Sequence, residues 1–75
     1  MARHEELTSM IARVQHMADT GMQKASISSS LNIILSLRIP MQHCAVSATT
    51  GKVVCTMGTG FLLEHLRREK RLLEH

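Results

Sequence analysis

Residues 42–57 read QHCAVSATTGKVVCTM, and this stretch decides the fold because it predicts a β-hairpin with one apolar face. If the turn is centred on Thr50-Gly51, alternate side chains of both strands fall on the same side of the pair. The cross-strand pairs on the apolar side are then Ala48 with Val53, Val46 with Cys55, and Cys44 with Met57. The opposite side is mostly polar. The hairpin must therefore lay its apolar face on other elements of the protein.

The register of the hairpin also determines the expected state of the two cysteines. With this turn, Cys44 and Cys55 are diagonal neighbours on the apolar face, where buried free thiols are the ordinary expectation. A disulfide would need Cys44 directly opposite Cys55, and it would move the turn to Thr49-Thr50. Because Thr-Gly is the better turn sequence, we predict free thiols.

Two helices are predicted before the hairpin. Residues 4–19 carry apolar side chains at the i, i+3, i+4, i+7 spacing of an amphipathic helix, and Gly21 provides its stop. The second helix is predicted over residues 24–37, where apolar residues also follow helical spacing. Residues 31–39 remain ambiguous, because they alternate as a strand would. If they form a strand, the sheet gains a third member.

A last helix is predicted over residues 60–72, after the glycines that interrupt the second strand. Thr59 is the expected N-cap of this helix, because its hydroxyl can accept a backbone hydrogen bond. The expected buried face consists of Leu62, Leu63 and Leu66.

These elements predict an α+β fold with two N-terminal helices, a β-hairpin at about residues 42–57 and a C-terminal helix. Helices would cover the apolar face of the hairpin. Two-stranded sheets are unstable alone, so we expect hairpins to pair across a two-fold axis in a homodimer, giving a four-stranded sheet. In this arrangement Val46 is buried, and Val46→Lys should abolish folding or dimerisation.

Length and composition predict one small domain. The chain has 75 residues, of which 44% are hydrophobic and 20% charged, and this balance is typical of a globular protein. The last residues, 73–75, resemble the start of a purification tag, so the domain is expected to span residues 1–72. Neither a signal-peptide pattern nor an apolar run near 18 residues is apparent, and we therefore expect a cytoplasmic protein without a membrane partner.

The basic residues offer the clearest alternative function. The chain has nine Lys and Arg residues, and four of them cluster in the last predicted helix. Such a cluster complements the helix dipole, but it can also contact nucleic-acid phosphates. Residues 7–38 additionally match a helix-turn-helix, whose second helix would supply more cations. The candidate nucleic-acid-binding residues are Arg67, Arg68, Lys70, Arg71, Lys24 and Arg38.

Other chemistry has little support in the sequence. The glycines at 58 and 60 lack the third glycine of a dinucleotide-binding turn. His43 and Cys44 are expected on opposite faces of a strand, so they do not form a nucleophile–base pair. The side chains that could bind zinc lack a C-x-x-C pair and a known spacing; they are His43, Cys44, Cys55 and His65. We therefore expect that the protein is not an enzyme and that it binds neither a cofactor nor a metal ion.

The sequence therefore favours a small cytoplasmic interaction or regulatory module that acts as a homodimer and has a protein partner. The alternative is a nucleic-acid-binding regulator that uses the basic last helix and the helix-turn-helix.

Overall fold

The computed structural model describes residues 2–74 and shows helices packed on one face of a three-stranded antiparallel sheet. In chain order the elements are α1 (Ala2–Asp19), β1 (Lys24–Ser29), α2 (Leu31–Ser36), a 3-10 turn (Met41–His43), β2 (Cys44–Val46), β3 (Val53–Gly58) and α3 (Thr59–Leu73). The strand order is β1-β3-β2. Both outer strands run antiparallel to β3, so they are parallel to each other and are connected through α2. The predicted α+β class is confirmed.

One face of the sheet is buried and the other is exposed. In β1 and β3, burial alternates along the strand as the pleat requires. Helices α1 and α3 pack against each other and over β1 and β3. The core between these layers consists of Leu7, Met10, Val14, Ala25, Ile27, Ile34, Leu37, Ile39, Val53, Cys55, Met57, Leu62, Leu63 and Leu66.

Helix α1 confirms the predicted first helix and its stop. Gly21 adopts the left-handed conformation, with φ of 82°. Its N–H donates to the carbonyl of Ala18 at 3.1 Å, and the N–H of Met22 donates to the carbonyl of Met17 at 3.0 Å. This pair of bonds is the Schellman motif, which satisfies carbonyls that the end of a helix leaves unpaired.

Helix α3 confirms the predicted last helix and its leucine face, but Thr59 is not the N-cap. Gly58 occupies the cap position, and Thr59 is the first helical residue. The Thr59 hydroxyl donates instead to the carbonyl of Met22 at 2.7 Å, and its N–H donates to the carbonyl of Gln23 at 3.0 Å. Thr59 therefore joins the start of α3 to the connection between α1 and β1.

The second predicted helix, over residues 24–37, is wrong in its first half. Residues 24–29 form β1, which pairs with β3 along its whole length. Only residues 31–36 are helical, and the Ser30 side chain caps them by accepting a hydrogen bond from the N–H of Ile33 at 3.4 Å. The sequence of β1, KASISS, alternates exposed polar with buried side chains, so sheet pairing prevails over helical spacing. The predicted helix-turn-helix at residues 7–38 is therefore wrong.

The hairpin is present, but its predicted register is wrong by two residues. Cys44 lies opposite Cys55, and Val46 lies opposite Val53. An even shift leaves each side chain on its predicted face. The turn is not the predicted Thr-Gly turn but a longer loop at residues 47–52, closed by the N–H of Ser47 donating to the carbonyl of Lys52 at 2.8 Å.

The new register overturns two predictions. Cys44 and Cys55 are not free thiols but form a disulfide, with their Cα atoms 4.1 Å apart. Directly opposed residues of an antiparallel pair come close enough for this bond where they do not share backbone hydrogen bonds. Val46 is not buried but 61% exposed. It lies on the outer strand β2, whereas the helices lie over β1 and β3.

Candidate interaction surfaces

The outer edge of β1 is a row of unpaired backbone groups. Residue 23 lies opposite residue 59 in the extended register, and this pair shares a hydrogen bond from the Thr59 N–H to the Gln23 carbonyl. In an antiparallel ladder hydrogen-bonded and non-hydrogen-bonded pairs alternate. The backbone N–H and C=O groups of Lys24, Ser26 and Ser28 therefore point away from β3, toward the free edge of the sheet.

This edge lacks the features that usually block pairing with another chain. Within residues 2–74, no backbone hydrogen bond joins β1 to an element other than β3. The pairing of β1 with β3 is continuous, so the strand contains no bulge, and it contains no proline. Lys24, at one end, is its only charged residue. Natural edge strands are commonly protected by such features.

The exposed face of the sheet is lined by small side chains. The hydroxyls of Ser26 and Thr56 lie 2.9 Å apart across β1 and β3. Ser28, Ala45 and Val54 continue the same face. Apart from Lys24 at one end, this face carries short side chains, several of which have hydroxyl groups.

The basic residues predicted to bind nucleic acid do not form one surface. Arg38 pairs with the buried carboxylate of Glu69 at 3.3 Å, so it neutralises a charge of the domain itself. The guanidinium of Arg67 donates to the side-chain oxygen of Gln15 and links α3 to α1. These two arginines have structural partners within the fold.

The other four predicted residues are divided between two regions. Arg68 and Arg71 are exposed on α3, and Lys70 of the same helix is half-buried. Lys24 begins β1 on the exposed sheet face, opposite Gly58 and thus next to the start of α3. The structure therefore brings Lys24 near the first turn of α3, while the remaining cations lie further along that helix.

Phe61, the only aromatic residue of the chain, lies where these regions meet. Its side chain is 61% exposed in the first turn of α3. The ring contacts the imidazole of His43, with ring centroids 6.4 Å apart and planes tilted by 56°. This contact orients the ring while most of it stays accessible.

Two depressions meet at Phe61. One, of about 310 Å³, lies at the exposed sheet face and is lined by Lys24, His43, Thr56, Met57, Gly58 and Phe61. The other, of about 280 Å³, lies along α3 and is lined by Gly60, Phe61, Glu64, His65 and Arg68. Each depression therefore contains one cation and one histidine beside the shared ring, and the depression along α3 also contains the carboxylate of Glu64. We refer to Lys24, His43, Phe61, His65 and Arg68 as the Phe61 surface.

A hydrogen bond to the backbone of Leu37 fixes the position of His65 within the Phe61 surface. Its Nε2 atom is 2.8 Å from the carbonyl oxygen of Leu37, and because a carbonyl only accepts, Nε2 is the donor. This bond holds the segment after α2 against α3.

Phe61 was not among the predicted surface residues. The exposure of Phe61 could have been predicted from the helical pattern. The buried leucines at 62, 63 and 66 place residue 61 outside the apolar stripe. Its proximity to Lys24 was not predictable, because residues 24–29 were expected to be helical.

The four side chains whose chemistry suits zinc, but for which no metal was expected, have other partners in the structure. Cys44 and Cys55 are joined in the disulfide, so neither thiolate is available as a ligand. His43 contacts Phe61, and His65 bonds to Leu37. Over the described range 2–74, no group of three or more His, Cys, Asp or Glu side chains is arranged to hold a metal ion.

No protein family, curated protein or solved structure matches this chain. Among the helices of residues 2–74, none has the length and apolar character needed to cross a membrane.

Proposed function

We propose that this protein is an interaction module that works as a homodimer, joined edge to edge through β1. The observation that carries this proposal is the free edge of β1, where the backbone groups of Lys24, Ser26 and Ser28 have no partner within the described fold. A straight edge with a single charged residue at one end is a template for adding another strand.

A second copy of this chain fits the free edge of β1 by symmetry. Antiparallel pairing of β1 with its own copy about a two-fold axis would join two three-stranded sheets into one continuous sheet. This arrangement replaces the hairpin-to-hairpin pairing that the sequence suggested, because β1 already covers one edge of the hairpin. The other hairpin edge, β2, is only three residues long and offers fewer backbone groups.

As such a module the protein would have no catalytic activity and would act in the cytoplasm, where it would bind a further protein partner as a regulator. Glutathione keeps most cytoplasmic thiols reduced, and disulfides that form there are usually transient or redox-sensing. In that compartment the Cys44–Cys55 bond would be a reversible link between β2 and β3.

The decisive experiment substitutes proline for Ser28. The Ser28 N–H points outward, so Ser28→Pro removes a donor from the free edge without breaking the bonds between β1 and β3. The matched control is Ser28→Ala, which changes the side chain and keeps the N–H. Molar mass is measured by size-exclusion chromatography with light scattering, and folding by circular dichroism.

We expect dimers for the wild-type protein and for Ser28→Ala, and a folded monomer for Ser28→Pro. A wild-type protein that stays monomeric across the concentration series would contradict the proposal. A folded Ser28→Pro variant that stays dimeric would show that another surface joins the subunits.

A further inference from the structure

We infer that the Phe61 surface binds single-stranded nucleic acid, with the Phe61 ring stacking on one base and Lys24 and Arg68 contacting phosphates on either side. This inference does not rest on the proposed dimer, because the whole surface lies within one chain.

The first support is the position of the ring. Phe61 is 61% exposed, and the core is filled by aliphatic side chains without it. His43 packs beside the ring, with the two planes tilted by 56°. An accessible, oriented aromatic ring is the platform on which proteins stack unpaired bases, and each stacked base contributes about 1–3 kcal/mol.

The second support is the charge on both sides of the ring. Lys24 lines one depression and Arg68 lines the other. In the part of the chain that the structure describes, neither cation forms an ion pair. Arg68 follows Phe61 by seven residues, or about 10 Å along the helix axis. Cations on both sides of a stacked base can neutralise successive phosphates of the strand.

The third support is the surface beside the ring. Thr56 lines the depression that contains Lys24 and His43, and its hydroxyl meets that of Ser26. These side chains are short, so they leave space for an extended strand and offer hydroxyl groups for hydrogen bonds. Together the ring, the cations and this face form one continuous surface.

These features favour an unpaired strand over other anionic ligands. A duplex reader needs an element that enters the groove, and the segment predicted as a recognition helix is instead the sheet strand β1. An acidic peptide would satisfy Lys24 and Arg68, but its carboxylates have no aromatic face to stack on Phe61, and the negative face of the ring repels them. A single strand satisfies both, because its base stacks on the ring and its phosphates contact the cations.

The test measures binding of fluorescein-labelled oligothymidylate by fluorescence anisotropy. Phe61→Leu keeps an apolar side chain beside His43 but removes the stacking face, so we expect a loss of affinity of about tenfold or more. Circular dichroism checks that the variant is folded, and Phe61 is outside the core, so folding should be retained.

The cations are tested in the same assay against a control of equal charge. Lys24→Gln and Arg68→Gln should each weaken binding and lower the slope of log affinity against log salt by about 0.7. Lys52→Gln is the matched control. Lys52 directly precedes β3, whereas Gly58, which pairs with Lys24, is the last residue of that strand. This control should bind within about twofold of wild type, since a distant surface charge is largely screened.

Wild-type affinity in Phe61→Leu would overturn the inference, because the ring would then contribute no stacking. Equal losses in Lys52→Gln and Lys24→Gln would also overturn it, by showing attraction to overall positive charge. If oligoglutamate displaces the labelled strand as effectively as unlabelled oligothymidylate does, the ligand is an acidic peptide and the inference is wrong.

Discussion

Gly21 ends α1 in a conformation that other residues adopt only at a cost. Its φ of 82° lies in the left-handed region, and a Cβ atom placed on it would meet nothing within 4 Å. Any penalty for a side chain there is therefore conformational rather than steric. We expect Gly21→Ala to lower the free energy of unfolding by about 1–2 kcal/mol, as measured by urea denaturation.

Gly60 provides a control, because its substitution should change the free energy of unfolding in the opposite direction. It lies within α3, has no positive φ, and a Cβ atom placed on it would also meet nothing within 4 Å. Gly60→Ala should stabilise the protein by about 0.5–1 kcal/mol, because alanine loses less backbone entropy in a helix. Equal effects of the two substitutions would show that the termination of α1 does not depend on the conformation of Gly21.

Glu69 shows that an arginine predicted to bind nucleic acid, Arg38, instead pairs with a buried carboxylate of the fold. This carboxylate is only 7% exposed, and a buried charge is costly unless it is paired. Arg38, 31 residues earlier in the chain, provides the partner. The role of Arg38 therefore depends on the tertiary fold, and no local sequence pattern predicts it.

The hairpin places two opposed valines in very different environments. Val46 of β2 is 61% exposed, whereas Val53 of β3, directly across the ladder, is fully buried. We expect Val46→Lys to change the free energy of unfolding by no more than about 0.5 kcal/mol, as is usual for surface positions. A lysine on an edge strand also discourages aggregation. Urea denaturation measures the difference.

Val53→Lys is the paired variant, and it should show no cooperative unfolding transition, because an unpaired charge in the core costs several kcal/mol. A Val46→Lys variant that also fails to fold would contradict the structure and would support the register that the sequence first suggested.

The sequence predicted those elements whose pattern is local. Helix α1 and helix α3 follow from the 3.6-residue spacing of their apolar side chains, and the hairpin follows from alternation on either side of a turn. The faces of the hairpin strands were also predictable, because a shift of two residues preserves them. The register itself was not, because a loop at residues 47–52 replaced the two-residue turn.

What the sequence could not reveal depends on contacts between distant segments. Strand β1 is stable as a strand because it pairs with β3, about thirty residues later in the chain. Its short sequence contains one large apolar side chain, Ile27, so its alternation is weak. The same pairing brings Lys24 beside Phe61, and the candidate site was therefore hidden for the same reason as the strand.

The whole domain has two layers and a modest core, so its stability depends strongly on crosslinks between its elements. Within residues 2–74, one sheet face carries no covering helix, and the buried core contains 14 hydrophobic side chains. A domain of this size buries only about 60% of the surface that its unfolded chain exposes. A covalent link that restricts the unfolded chain therefore contributes a large part of the total stability.

The Cys44–Cys55 disulfide closes a loop with a sequence separation of 11. In the chain-entropy account, a loop of this length stabilises the folded state by about 2–3 kcal/mol, because the crosslink reduces the freedom of the unfolded chain. We expect dithiothreitol to lower the free energy of unfolding by that amount in urea denaturation. The Cys44→Ala, Cys55→Ala double variant should be destabilised and should not respond to dithiothreitol. The wild-type protein and the double variant would show the same insensitivity to reductant if the disulfide did not contribute, and the stability of the domain would then rest on its packed layers alone.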